Sequence, residues 1–311
     1  MRVAIIGTGA VGAASLMALV MRGCANEIVL IDRTPEKAKG LATDIRYGAT
    51  LSPSVVVRAG DYADLKAAAL VIITAGVNEK AGGAINRSDP AGRLRLLDTN
   101  VAVYKDIVSK LDAVEPDVLT LVVTDPPDPL ADAVRMMGHH RVLSTGTYLD
   151  SLRFGFHLAH RFGVSPGSVS AQVLGEHGTS EVFIWSSARV NGVPVPALLA
   201  QRSKQEFEQF RRDVEQEVRY ANISIIEGIG ASQYGIGMVC ARIAEMILRD
   251  ERAVIPIGSY SSEYKVTLSL PSIVGRAGVL EVFQPELAKD EQDGLTRSVD
   301  TLRAAIGRMK L

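Results

Sequence analysis

A glycine-rich turn, Gly7-Thr8-Gly9-Ala10-Val11-Gly12, directly follows an apolar run at residues 3–6 and opens a helix-like stretch over 10–21. That order of strand, glycines and helix constrains the fold more than any other feature of the chain. Gly7 makes the tight turn, Gly9 lets the backbone approach a pyrophosphate, and Gly12 lets helix and strand pack closely. The free N–H groups at Ala10 and Val11 lie at the positive end of the helix. Glycine turns also end strands where nothing binds. Here, however, a second apolar run at 27–31 ends in Asp32. A carboxylate at that place accepts hydrogen bonds from a ribose diol and repels a 2′-phosphate. The expected cofactor is therefore NAD rather than NADP, and Arg33 reads as a solvated surface residue.

Further β-branched runs follow at 54–58, 70–74, 119–123 and 141–144, with helical patterns at 35–47 and 94–114 between them. Pro35 suits a first helical position, with Thr34 before it as the cap. Continuous apolar runs separated by helices indicate a parallel sheet covered on both faces. The fold class expected is α/β, a Rossmann-type doubly wound parallel sheet over residues 1–145. An α+β substrate unit follows over 146–311. Its expected elements are a helix at 148–162, strands at 169–174 and 182–190, and helices at 203–227 and 235–249. Strands at 253–259 and 264–270 and a closing helix at 285–309 complete it. Open sheets bind ligands beyond the carboxyl ends of their strands. Gly7, Asp32, Thr74-Ala75-Gly76 and Thr124-Asp125-Pro126 all fall there.

The 311 residues carry a formal net charge of −1, from 34 basic and 35 acidic side chains, so no field favours nucleic acid or an anionic membrane. Cys24 and Cys240 stand far apart and form no C-x-x-C pair, so neither a disulfide framework nor a thiolate metal site is expected. Arg2 leads into an apolar run and then a glycine turn, not a small-residue cleavage site. These features point to the cytoplasm, with no metal.

Two motifs carry chemistry. Asp150 and Arg153 lie three apart on a predicted helix and share a face; alone, they would be a surface ion pair. Gly175-Glu176-His177-Gly178 follows a strand-like run and holds a histidine between glycines in a loop. Histidine titrates near neutrality, which suits proton transfer to or from an oxygen. The bland alternative is a histidine hydrogen-bonded within a turn. His139 and His140 fit a helix C-terminus, and His157 and His160 fit ordinary helix positions.

Together the segments IIGTGAVGAA, TAG, RLRLLDTN, VVTDPPDPL, STGTYLDSLRF, VLGEHGTSEVFIWSSA and LSLPSIVGRAG resemble the L-lactate/malate dehydrogenase family through nearly the whole chain. The resemblance implies an NAD-dependent enzyme that moves a hydride between the nicotinamide and C2 of a small 2-oxo or 2-hydroxy acid. It implies His177 as acid/base, Asp150 as its orienting partner, Arg153 as the clamp on the substrate carboxylate and Arg93 as the group polarising the carbonyl. Asn100, Thr124, Thr74, Ala75 and Gly76 would lie along the cofactor, and Asp125 and Ser232 beside the substrate. A homodimer or homotetramer is implied in the same way.

The chain departs from the family pattern in three places. The stretch 77–92 is long, and suits either a mobile lid or a surface insertion. Asp125 stands where the family has asparagine, so it offers only an acceptor unless burial keeps it protonated. The first strand begins at once, without an N-terminal arm. The family distinguishes substrates by one lid residue, and the insertion makes its position ambiguous. Counting forward from Gly76 reaches Glu79 or Lys80; counting back from Arg93 reaches Arg87, which suits malate. The GEHG and WSSARVNGVPV stretches resemble the lactate branch, and pyruvate/lactate is the substrate pair favoured. A silent NAD-binding sensor would not need His177, Asp150, Arg153 and Arg93 together. The NAD-dependent glycosidases would need Cys/His metal ligands that Cys24 and Cys240 do not supply. Activation by fructose 1,6-bisphosphate is not expected, because the two positions that would hold it are Gly155 and Ser170.

Overall fold

The computed structural model describes residues 1–81, 85–86 and 92–309. The first half runs β1 (Arg2–Ile6), α1 (Ala10–Arg22), β2 (Glu27–Ile31), α2 (Pro35–Ala49), β3 (Val56–Ala59), β4 (Ala68–Ile73), α3 (Leu97–Asp112), β5 (Thr120–Val122), α4 (Pro127–Met136) and β6 (Val142–Ser144). The second half begins with α5 (Tyr148–Phe162) and four short strands, β7 (Val169–Ser170), β8 (Val173–Leu174), β9 (Val182–Phe183) and β10 (Arg189–Val190). Then come β11 (Val193–Pro194), α6 (Val195–Leu198), α7 (Lys204–Arg219), α8 (Ala221–Ile229), α9 (Tyr234–Arg249), β12 (Ala253–Ser261), β13 (Val266–Gly275), β14 (Gly278–Val282) and α10 (Lys289–Arg308).

The six parallel strands lie in the order β6-β5-β4-β1-β2-β3. The direction of winding reverses between β1 and β4, and that switch point opens a crevice at the strands' carboxyl ends. Alternate side chains enter two different cores. Val3, Ile5, Leu70 and Ile72 pack on one face with α1 and α9 residues such as Leu16 and Ile243. Ala4, Ile6, Val71 and Ile73 pack on the other with Tyr104 and Leu130 of α3 and α4. A strand buried on both sides has no place for alternating polar residues, which is why these runs are uniformly apolar.

The second half is less separate than its sequence suggests. β12, β13 and β14 extend the parallel sheet to nine strands, joined antiparallel through Gly258 opposite Ser144. β14 was not among the expected strands. The expected strands 169–174 and 182–190 survive only as two-residue pieces, because their residues turn around an aromatic core rather than extend. Phe154, Phe183, Trp185 and Phe210 meet there, with Phe154 edge-on to Phe183 at 5.3 Å and to Trp185 at 4.8 Å. This core fixes α5 against β9 and α7. The expected helix 203–227 is broken at Tyr220, which leaves helical geometry at φ −104°, ψ 9°. Thr34 makes no side-chain cap; its N–H donates instead to Asp32. His139 is not an exposed dipole partner. It is buried, with Nδ1 2.7 Å from Asp112 Oδ1 and Nε2 2.9 Å from the Val118 carbonyl. Cys24 and Cys240 are both buried and unpaired. No helix among the described residues is long and apolar enough to cross a membrane.

Candidate active site

The crevice at the switch point is built by the glycine turn. Gly7 takes φ +102°, a conformation side chains disfavour. A Cβ there would lie 2.6 Å from the Ala75 nitrogen, and a Cβ on Gly12 would lie 2.0 Å from the Gly7 carbonyl. Gly9 differs: a Cβ on it would meet nothing within 4 Å. Gly7 and Gly12 therefore close the turn, and Gly9 presents open backbone at the uncapped start of α1. That is the cradle a pyrophosphate needs. Asp32 Oδ2 accepts the Thr8 N–H and hydroxyl, both at 2.8 Å, and Oδ1 accepts the Thr34 N–H at 2.9 Å. Burial pushes its carboxyl up, but these hydrogen bonds outweigh it and hold the group below its ordinary value. The chain thus offers an open backbone cradle and an anion beside it, and the residues fit a dinucleotide with an unphosphorylated ribose.

Beyond the turn lies a cavity of about 200 Å³. Gly9, Ala10, Val11, Thr74, Gly76 and Thr124 line its nucleotide side. Arg93, Asp125, Arg153, His177 and Ser232 line the other side, so residues far apart in sequence share one space. Ala75 packs against Gly7 behind the cavity wall. Asn100 is also behind it: Oδ1 accepts the Val77 N–H at 2.7 Å and Nδ2 donates to the Asp125 carbonyl at 2.7 Å, tying the loops after β4 and β5 together. Arg87 lies outside the described residues.

The chemical centre is a histidine held from behind. Gly175, at φ +83°, turns the chain sharply out of β8 and brings His177 over α5. His177 Nδ1 lies 2.5 Å from Asp150 Oδ2, and the other Asp150 oxygen accepts from Arg153 Nη1 at 2.9 Å. Asp150 is 2% exposed. Burial alone would push its carboxyl up, but His177, Arg153 and Arg93 outweigh that and hold it well below the carboxylate range. For His177, burial favours the neutral ring, but the Asp150 carboxylate outweighs it and the imidazole is raised above its ordinary value. The result is an imidazole poised to carry a proton, with Nε2 toward the cavity, 3.8 Å from Asp125 Oδ1.

Arg93 sits on a 3-10 turn (Gly92–Leu96) and meets two carboxylates, Glu79 Oε1 at 3.1 Å and Asp125 Oδ2 at 3.4 Å. Glu79 also accepts from Asn222 Nδ2 at 2.6 Å. Burial and then Asp125 push the Glu79 carboxyl up, partly offset by Arg93. Neither Asn222 nor the buried Glu181 was a candidate from sequence. Asn222 lies just past the unforeseen break between α7 and α8; no local motif marks it. Glu181 belongs to the GEHGTSEV segment, yet nothing in the segment says that it points inward. Asp150, His177 and Glu181 bring possible ligand atoms within 4.8 Å of one another. Cations already occupy their surroundings: Arg153 on Asp150, and Arg219 3.6 Å from Glu181.

Residues 1–142 match the family profile described as lactate/malate dehydrogenase, NAD binding domain, and residues 147–310 match its alpha/beta C-terminal domain. The chain is 41% identical to the L-lactate dehydrogenase of Deinococcus radiodurans, over 97% of each chain. It is 40% identical to that of Thermus aquaticus, over 98% of each. Among solved structures, the ligand-bound minor L-lactate dehydrogenase of Enterococcus mundtii superposes with a TM-score of 0.90 at 34% identity, covering 100% of this chain and 98% of the other.

If His177 is the proton carrier, His177→Asn will lower kcat/KM for 2-oxo acid reduction by at least about 10²-fold, the scale of one general acid. NADH affinity, read by fluorescence titration, will be unchanged. Turnover close to that of the unaltered enzyme would remove His177 from the chemistry.

Proposed function

The chain belongs to the lactate/malate dehydrogenase family, and from that premise we propose that it is an NAD-dependent L-lactate dehydrogenase whose acid/base is His177. The observation that carries this reading is the Asp150–His177 pair, set in one cavity with Arg93 and Arg153. A silent NAD-binding protein would have no use for that convergence. Gly7, Gly9, Gly12 and the Ala10 and Val11 N–H groups would hold the cofactor's phosphates. Asp32 would hold its ribose, with Thr74, Gly76 and Thr124 alongside. Bound NADH supplies the hydride that reaches C2 of the substrate.

The remaining work falls to the side chains. Arg153 offers the substrate carboxylate a planar, two-pronged set of donors, which fixes C2 in place. Arg93 polarises the 2-oxo group, leaving its contacts with Glu79 and Asp125 as it does so. His177 gives its Nε2 proton to the oxygen, and the C=O double bond becomes C–OH. In the opposite direction neutral His177 takes that proton back, and Asp150 stabilises the imidazolium that forms. Each Asp150 oxygen serves one of the two groups, so substrate clamp and proton carrier are held in one frame.

Lactate is favoured over malate by the charge of the far wall. With Arg153 and Arg93 assigned to the reacting end, the cavity residues left for the substrate side chain include Glu79, Lys80, Asn222, Ile226, Ala231 and Ser232. Among the described residues this wall has no arginine; its buried charge is Glu79, held by Asn222, while Lys80 beside it is exposed. A second substrate carboxylate would enter beside Glu79 and Asp125, where like charges about 4 Å apart repel by roughly 4 kcal/mol at an effective dielectric near 20.

A homodimer or homotetramer is supported by exposed apolar side chains on helices that pack together: Met17 of α1, Leu152 and Phe156 of α5, and Tyr234 and Met238 of α9. We place the enzyme in the cytoplasm, in keeping with two unpaired thiols.

At mildly alkaline pH the enzyme will reduce pyruvate much faster than oxaloacetate. Glu79→Gln will raise the oxaloacetate/pyruvate ratio of kcat/KM by about tenfold or more, a shift of about 1.4 kcal/mol or more. An unchanged ratio would mean that Glu79 does not face the substrate side chain. Fructose 1,6-bisphosphate will leave initial rates at low pyruvate unaltered. Gly155 and Ser170 carry no charge, Arg161 is engaged at both Nη atoms by Glu217, and Arg189 donates to the Ser186 and Ala188 carbonyls. A several-fold fall in pyruvate KM on adding the sugar phosphate would contradict this.

A further inference from the structure

We propose that Asp128 is a positioning residue for the reaction: its buried carboxylate grips the backbone of the catalytic loop and so sets where the His177 imidazole stands over the cavity. The inference rests on the acid/base role given to His177 above.

Asp128 lies in the first turn of α4 and has no exposed surface. Its two oxygens do different jobs. Oδ2 accepts the backbone N–H of His177 at 2.8 Å, and Oδ1 accepts the Ser144 hydroxyl at 2.5 Å. One carboxylate therefore joins α4, the end of β6 and the loop after β8. β12 is shaped to leave it room. A Cβ on Gly258 would lie 1.7 Å from Ser144 Oγ and 2.5 Å from Asp128 Oδ1.

The chemistry of the group makes a packing role insufficient. Among the described residues no lysine or arginine pairs with Asp128. A buried carboxylate without a counter-cation is costly to keep, and an apolar residue would fill the same volume at less cost. Burial pushes this carboxyl up to about 7, with the Ser144 hydroxyl and the His177 N–H acting against it. The charges that act on it belong to the catalytic loop itself: His177 favours the anion and Glu176 opposes it. Asp128 also stands three residues after Asp125, whose carboxylate lies 3.8 Å from His177 Nε2. The segment 125–128, from the loop after β5 into α4, thus holds the histidine's backbone and faces its reacting nitrogen. A misplacement of about 1 Å at such a site costs on the order of 10²-fold in rate.

Two variants separate positioning from packing, because each removes or weakens a bond to the same carboxylate. Asp128→Asn keeps the shape but removes the charge: Ser144 Oγ can turn to accept the new amide N–H, and the His177 N–H is left on a neutral amide oxygen, a weaker grip than a carboxylate gives. It will lower kcat for pyruvate reduction at least about tenfold, with pyruvate KM and NADH affinity each within about threefold of the unaltered enzyme. Ser144→Ala removes a bond on the side away from the histidine. It will lower the thermal midpoint while kcat stays within about twofold. Unaltered kcat in Asp128→Asn, or an equal loss of kcat in both variants, would overturn the proposal. Should Asp128→Asn fail to fold, amide hydrogen exchange in the unaltered protein decides: the His177 amide will be strongly protected, and rapid exchange there would overturn the assignment. An unaltered enzyme inert toward every 2-oxo acid would sink the functional reading instead, and the exchange measurement would still test the grip of Asp128 on the loop.

Discussion

The hydrogen bond between Asp150 and His177 is the contact on which the rest of the site depends. It joins two elements that approach only because the second half of the chain folds around an aromatic core. α5 brings Asp150 and Arg153 on one face, and Phe154 and Leu158 of the same helix enter that core with Phe183, Trp185 and Phe210. The loop carrying His177 leaves β8 just upstream of β9. A carboxylate this deeply buried is tolerable only when paired and hydrogen-bonded. Asp150 has both: an imidazole on one oxygen and a guanidinium on the other. The same pairing that makes the acid tolerable aligns the proton carrier and the proposed carboxylate clamp.

Around that pair the site is crowded with charge, and the balance gives it direction. Arg93 stands between Glu79 and Asp125, and burial together with Asp125 raises the Glu79 carboxyl. Glu181, with Arg219 nearby, is pushed up to about 8 by burial and by Asp150. Of the buried acids Asp150, Glu79 and Glu181, Asp150 is the one its neighbours hold below its ordinary value. It is also the carboxylate that does most to raise the His177 imidazole, with Asp125 adding to it.

Much of the nucleotide half was legible in the sequence. Its strands are buried on both faces and so read as unbroken apolar runs, and glycines mark the one place where backbone must lie open. Asp150, Arg153 and His177 were legible as motifs because their chemistry depends on residue type and local spacing. What the sequence hid was set by distant packing. β7 to β10 are too short for periodicity to register. The break at Tyr220 interrupts an otherwise helical pattern, and it precedes Asn222, which reaches Glu79 in the stretch after β4. Ser144 and Gly258 meet only because β12 adds to the edge of the first sheet. Asp128 looks like an ordinary first-turn acid until β12, β6 and the histidine loop close over it.

The most direct test of the central pair is the pH dependence of kcat/KM for pyruvate reduction, in the unaltered enzyme and in Asp150→Asn. Reduction needs protonated His177, so the rate will fall as pH rises through the imidazole's raised value. Asparagine removes the charge that does the raising, so the falling limb will move to lower pH, along with an overall loss of rate. A limb that stays in place when Asp150 is replaced would contradict the account, because the proton carried in the reaction would then not be the one that Asp150 holds on His177.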